Sequence, residues 1–108
     1  MKIEDLIQQS WQTSQDKGWH DEPRSVGDKI ALMHSELSEA LEEYRAGHAV
    51  NSIYFEGAKP LGFPIEIADL LIRVGDFCKE NAVNIVEALQ IKMNYNKTRP
   101  YRHGGKKL

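Results

Sequence analysis

Residues 64–81 read PIEIADLLIRVGDFCKEN, and the placing of apolar and charged side chains in this stretch decides the fold class. On a helical wheel of about 100° per residue, Ile67, Leu70, Leu71, Val74, Phe77 and Cys78 make a broad apolar face. Ile65 and Ile72 fall on the far side. Between these regions runs a narrow stripe of Glu66, Asp69, Arg73 and Asp76, spaced i, i+3, i+7, i+10. A helix that is apolar on both flanks belongs in an interior, where ionised carboxylates are costly unless paired or bound to metal. Pro64 suits the first turn of such a helix. The stripe is therefore either a salt-bridge ladder built around Arg73 or part of a cation site.

Working outward, three more helices are predicted. Ile3, Leu6, Ile7 and Trp11 recur at helical spacing from Ile3 to about Lys17, and Gly18 ends the run. After the connector Trp19-His20-Asp21-Glu22-Pro23-Arg24, Ser25 with Asp28 three residues on makes a capping-box-like start to a helix reaching about Arg45. Asn84 caps a last helix that ends near Thr98, because Pro100 disfavours helix at Arg99. Residues 47–64, with three Gly and two Pro, have no clean period and read as a loop. No β pattern is evident. The expected class is all-α, one four-helix domain spanning 1–108.

In the 25–45 helix, Ile30, Met33, Leu37, Leu41 and Tyr44 form the expected core stripe, with His34 on it as a buried histidine. Leu32, Glu36, Glu39, Ala40 and Glu43 form a second face roughly opposite. Taken alone, that face reads equally well as solvated. Beside the 64–81 helix it reads differently. Glu36-x-x-Glu39 and Glu66-x-x-Asp69 give two carboxylates from each of two helices, and i, i+3 spacing puts each pair on one face. Antiparallel packing would converge all four. Oxygen-only ligands suit a hard cation, Mg²⁺ or Mn²⁺, rather than zinc. Glu39-x-x-Glu42 leaves the register of the first pair open, although Glu42 turns away from the mixed face. A di-iron bundle expects Glu-x-x-His on two helices, and no Glu here precedes a His by three.

The bulk composition is that of a soluble globule. One cysteine, Cys78, excludes an internal disulfide framework, and four histidines with it make no zinc spacing. There is no membrane-length apolar run and no signal-peptide layout at the N-terminus, so a cytoplasmic protein is expected. Charge is asymmetric: residues 1–91 carry all 16 acids against 8 Lys and Arg, whereas residues 92–108 carry 6 basic residues and no acid. An acidic body with a basic tail suits a metal plus an anionic ligand. Nucleic acid is disfavoured as a partner, because the body would repel it and the tail interleaves few aromatics.

Glu-x-x-Glu, a gap of 26 residues, and Glu-x-x-Asp on successive helices resemble the MazG-like all-α nucleoside triphosphate pyrophosphohydrolase family. The run Lys92-x-x-x-Asn96-x-x-Arg99, followed by Tyr101-Arg102-His103-Gly104-Gly105-Lys106, is similar to the tail of a small single-domain branch. The resemblance implies Mg²⁺-dependent hydrolysis of NTP or dNTP between the α- and β-phosphates, with the metal on Glu36, Glu39, Glu66 and Asp69. It also implies a homodimer or tetramer and a house-cleaning role in the nucleotide pool. Some relatives carry a further Glu just before the first motif. Ser35 stands there in this chain, so the general base is open, with Glu39 the leading candidate. Lys92, Asn96 and Arg99 share one helical face and suit a triphosphate, and His103 and Lys106 extend that set. Trp19 matches an aromatic that relatives use near the nucleotide, with core packing as its other reading. The rival functions are a non-catalytic nucleotide- or metal-sensing module, a phosphoribosyl-nucleotide pyrophosphohydrolase, and a helical interaction protein.

Overall fold

The computed structural model describes residues 1–101. It contains four helices, α1 (Ile3–Asp16), α2 (Val26–Arg45), α3 (Phe63–Glu80) and α4 (Ile85–Thr98). A short antiparallel hairpin, β1 (Tyr54–Glu56) and β2 (Lys59–Leu61), lies between α2 and α3. The expected punctuation does its work. Ser25 Oγ accepts the Asp28 N–H at 3.0 Å, and Asn84 Oδ1 accepts that of Glu87 at 3.1 Å. Arg99 is extended before Pro100. At the end of α1, Gly18 takes φ +73° and Trp19 N–H closes on Ser14 O at 2.9 Å. That left-handed step throws Trp19 and His20 back toward α3.

The hairpin corrects the expectation of a loop without strands. Three-residue strands are too short to show a period, and the usable signal was the two-residue Gly57-Ala58 turn. Gly57 sits at φ +61°, as the first position of a type II′ hairpin requires. Gly62 then joins β2 to α3 at φ +124°, where a Cβ would collide with the Ser52 carbonyl oxygen. Only glycine fits, and this junction fixes the hairpin against the start of α3.

α3 is the central helix, packed on one side by α1 and on another by α2. α1 comes close enough that a Cβ on Gly75 would lie 3.4 Å from Ile7 Cα. The buried side chains among the described residues are few and mostly small: Ser10, Ser14, Glu36, Ala40 and Cys78. α4 is barely packed against the other elements, and its Leu89, Ile91, Met93 and Tyr95 are exposed.

The orientation of α2 is a second correction. Its mixed face, with Leu32, Glu36 and Ala40, turns inward, whereas Ile30, Leu37, Leu41 and Tyr44 of the expected core stripe are exposed. His34 is exposed as well. Hydropathy marks the Ile30–Tyr44 stripe as the more apolar face of α2, yet it does not say which face meets α3. In the chain by itself the carboxylate-bearing face does.

Candidate metal centre and the cavities beside it

Glu36 and Glu39 on α2 and Glu66 on α3 each offer one carboxylate oxygen, and these atoms lie within 4.8 Å of one another. Glu36 is only 6% exposed. Arg73, from α3, donates through Nε to Glu36 Oε1 at 2.9 Å. The other oxygen, Oε2, is buried with no hydrogen-bond partner. Asp69, one turn beyond Glu66, feels the charges of Glu36 and Glu39, and Arg73 opposes them. Glu42 instead pairs with Arg45 at the surface, at 3.0 Å, and it is Glu36 and Glu39 that stand beside Glu66.

The electrostatics show a cluster short of positive charge. Burial first, then hydrogen bonding and charge from Glu39, push Glu66 up to about 7. Burial and the Glu36 charge lift Asp69 above the usual carboxylate range. The structure gathers three of the four expected carboxylates, Glu36, Glu39 and Glu66, and leaves Asp69 outside that close group, near enough to feel their charge. One guanidinium does not neutralise them. A buried acceptor left without a partner is expensive, and Glu36 Oε2 points to what the arrangement lacks. Hard oxygen donors from two rigid helices, with one oxygen unsatisfied, fit a divalent hard cation.

Two cavities flank the cluster. The larger, about 910 Å³, lies between α1, the 17–25 connector, α2 and α3, and reaches Glu36, Asp69 and Arg73 at one end. Trp19, 63% exposed, lines it rather than filling the core. The smaller, about 400 Å³, opens between Glu39, Glu66 and the hairpin. There Tyr54 donates its hydroxyl to Glu43, 2.8 Å from Oε2, and its ring stacks on His48 at 4.7 Å. That hydrogen bond is the main reason the Tyr54 phenol is held above its ordinary range.

The far end of the larger cavity holds a polar network that the spacing did not disclose. His20 Nε2 lies 2.7 Å from Asp76 Oδ1, and Ser14 donates its hydroxyl to Asp76 Oδ2 at 2.8 Å. Gln15 Oε1 lies 2.8 Å from His20 Nδ1, and Lys29 pairs with Glu80 at 2.6 Å. Trp11 packs against the His20 ring. Asp76 was legible as a member of the charged stripe, but its partners come from 56 and 62 positions away. No local signal carries that pairing.

Of the expected triphosphate ligands, Lys92, Asn96 and Arg99 lie along exposed α4 and its exit and line neither cavity. Lys92 and Arg99 flank the Tyr95 ring instead. The structure does not bring these three to the carboxylates within one chain. His103 and Lys106 lie outside the described residues.

No family model, curated protein or solved structure matches this chain significantly.

Proposed function

We propose that this chain is a Mg²⁺- or Mn²⁺-dependent nucleoside triphosphate pyrophosphohydrolase, converting NTP or dNTP to the monophosphate and pyrophosphate. The observation that carries the reading is Glu36 Oε2, buried and unpartnered within a carboxylate cluster that lies between a nucleotide-sized cavity, reached by Glu36 and Asp69, and a smaller one lined by Glu39 and Glu66. Glu36, Glu39, Glu66 and Asp69 would hold the cation. When bound, it supplies charge neutralisation and Lewis acidity at the phosphates.

The residues of the chain divide the remaining work. Arg73 anchors Glu36 and presents the rest of its guanidinium toward the cavity, where a phosphate oxygen is a suitable partner. Glu39 is the exposed member of the cluster, so it is the carboxylate open to an incoming water and the best-placed general base. Trp19 offers a flat face to a base entering the larger cavity. Lys92, Asn96 and Arg99 suit the triphosphate, and they reach a site only in an assembly that packs α4 against another copy. We read the chain as a homodimer or tetramer for that reason, and because its own interior is sparse. The resemblance to MazG-like enzymes agrees with this division of roles, and house-cleaning of the nucleotide pool follows from it.

The test is a panel of NTPs and dNTPs incubated with Mg²⁺, with products identified. Monophosphate plus pyrophosphate is expected, abolished by chelation and reduced by at least about 100-fold in Glu39→Gln. Nucleoside diphosphate plus phosphate would refute the proposed bond. Absence of turnover with retained Mg²⁺ and nucleotide binding would make the chain a sensor.

A further inference from the structure

The larger cavity has two chemically distinct ends, and α3 connects them. Asp69 stands at the carboxylate end, Arg73 one turn along, and Asp76 at the far end. At 1.5 Å per residue, Asp76 is about 10 Å along the helix from Asp69. That is the reach of a nucleoside from its α-phosphate to the outer edge of its base. If the phosphates sit at the metal ligands, the edge of the base arrives at Asp76.

What waits there is a rigid acceptor. The Asp76 carboxylate has about four lone-pair directions, of which Ser14 Oγ takes one on Oδ2 and His20 Nε2 one on Oδ1. Its carboxylate takes no other side-chain hydrogen bond among the described residues, and Asp76 lines the cavity. Ser14 is 1% exposed, so its hydroxyl is a fixed brace. His20 is held in turn by Gln15 at 2.8 Å and by the Trp11 ring. Glu80, held by Lys29, adds a second carboxylate to the same end. Groups fixed before binding lose little freedom when a ligand arrives.

We propose that Asp76, positioned by Ser14 and His20, is the specificity-determining residue that selects nucleotides whose base bears an exocyclic amino group. This rests on the pyrophosphohydrolase reading of the adjoining carboxylates. A carboxylate accepts from the amino group of cytosine, adenine or guanine. Uracil and thymine carry a carbonyl oxygen where cytosine has its amino group, so at that position acceptor meets acceptor, and only the ring N–H is left to donate. Trp19 stacks on any base and contributes affinity without choosing.

The experiment compares kcat/KM for dCTP, dATP, dGTP, dUTP and dTTP with Mg²⁺ in the full-length wild-type protein and in Asp76→Asn. A matched set with non-hydrolysable α,β-imido dCTP and dUTP measures binding by calorimetry. Wild type should favour the amino-bearing bases by about tenfold or more. Asp76→Asn, which can donate to a carbonyl, should shrink or invert that ratio mainly through KM. Ser14→Ala, a smaller change at the brace, should weaken discrimination in part and serves if Asp76→Asn does not fold. An unchanged ratio in the variants, or a uniform loss across all five nucleotides, overturns the proposal while leaving the hydrolysis reading intact. Base-dependent binding that Asp76→Asn alters, without any turnover, supports this proposal and refutes hydrolysis. Neither binding nor turnover refutes both.

Discussion

Glu66 is the residue on which solution conditions act most directly. Its carboxyl, raised from 4.5 to about 7 by burial and by Glu39, Glu36 and Asp69, holds a proton more tightly in the folded chain than in the unfolded one. The contribution of Glu66 to stability is thus full below about 4.5 and is lost as pH rises through about 7. Metal-free protein should show a melting temperature that falls between pH 5 and 8, and Glu66→Gln should flatten that slope. Added Mg²⁺ should act in the opposite sense and stabilise most at the high end, because binding requires the deprotonated carboxylate. Thermal melts across pH with EDTA or with Mg²⁺ check both. At this scale the sequence was informative: the positional cost of Glu66 and Asp69 between apolar flanks is a property of the helix itself. The orphaned Glu36 oxygen was not legible, since it depends on where Arg73 of another helix ends up.

Among the elements, the helix ends were the most readable features, because capping chemistry is local. Ser25, Asn84, Gly18 and Pro100 each mark a boundary within a residue or two of where it falls. The end of α3, at Glu80, also falls within a residue of the expected Asn81, although no glycine marks it. Ala82 adopts φ +54°, with Val83 N–H closing on Cys78 O at 2.8 Å, a conformation glycine adopts far more readily. Ala82→Gly should stabilise the protein by about 1 kcal/mol, measured as a raised urea midpoint at unchanged m-value. The hairpin escaped the sequence reading because its strands are three residues long and Pro60 lies within one of them. The face that α2 turns inward escaped for a different reason. Both faces carry apolar residues, and the choice between them is made by the neighbour, through the Glu36–Arg73 pair and the close fit of Ala40.

For the whole molecule, the four-helix class was visible in the periodicity of each segment, whereas the separation of α4 from the other helices was not. Ile30, Leu37, Leu41 and Tyr44 on α2, with Ile91 and Met93 on α4, are exposed in the single chain, and contiguous exposed apolar patches commonly mark association surfaces. Self-association is the occupant most consistent with a chain whose own interior is so small. Light scattering should give a mass of two or four chains. Leu41→Lys should shift it toward one, and if the mass stays unchanged the α2 stripe is not the interface. Arg99→Ala should raise KM for triphosphate or lower kcat without altering the mass, and unchanged kinetics would remove α4 from the substrate site.

In the proposed assembly, the sparse interior also makes concentration a thermodynamic variable of the fold. When apolar side chains of α2 and α4 are covered only in an assembly, unfolding and dissociation merge into one event governed by mass action. The melting temperature should then climb steadily as the protein is concentrated, and a copy damaged in its helices would weaken the intact copies it pairs with. Dilution alone, with no change of residue or solvent, would act on this chain as a denaturant.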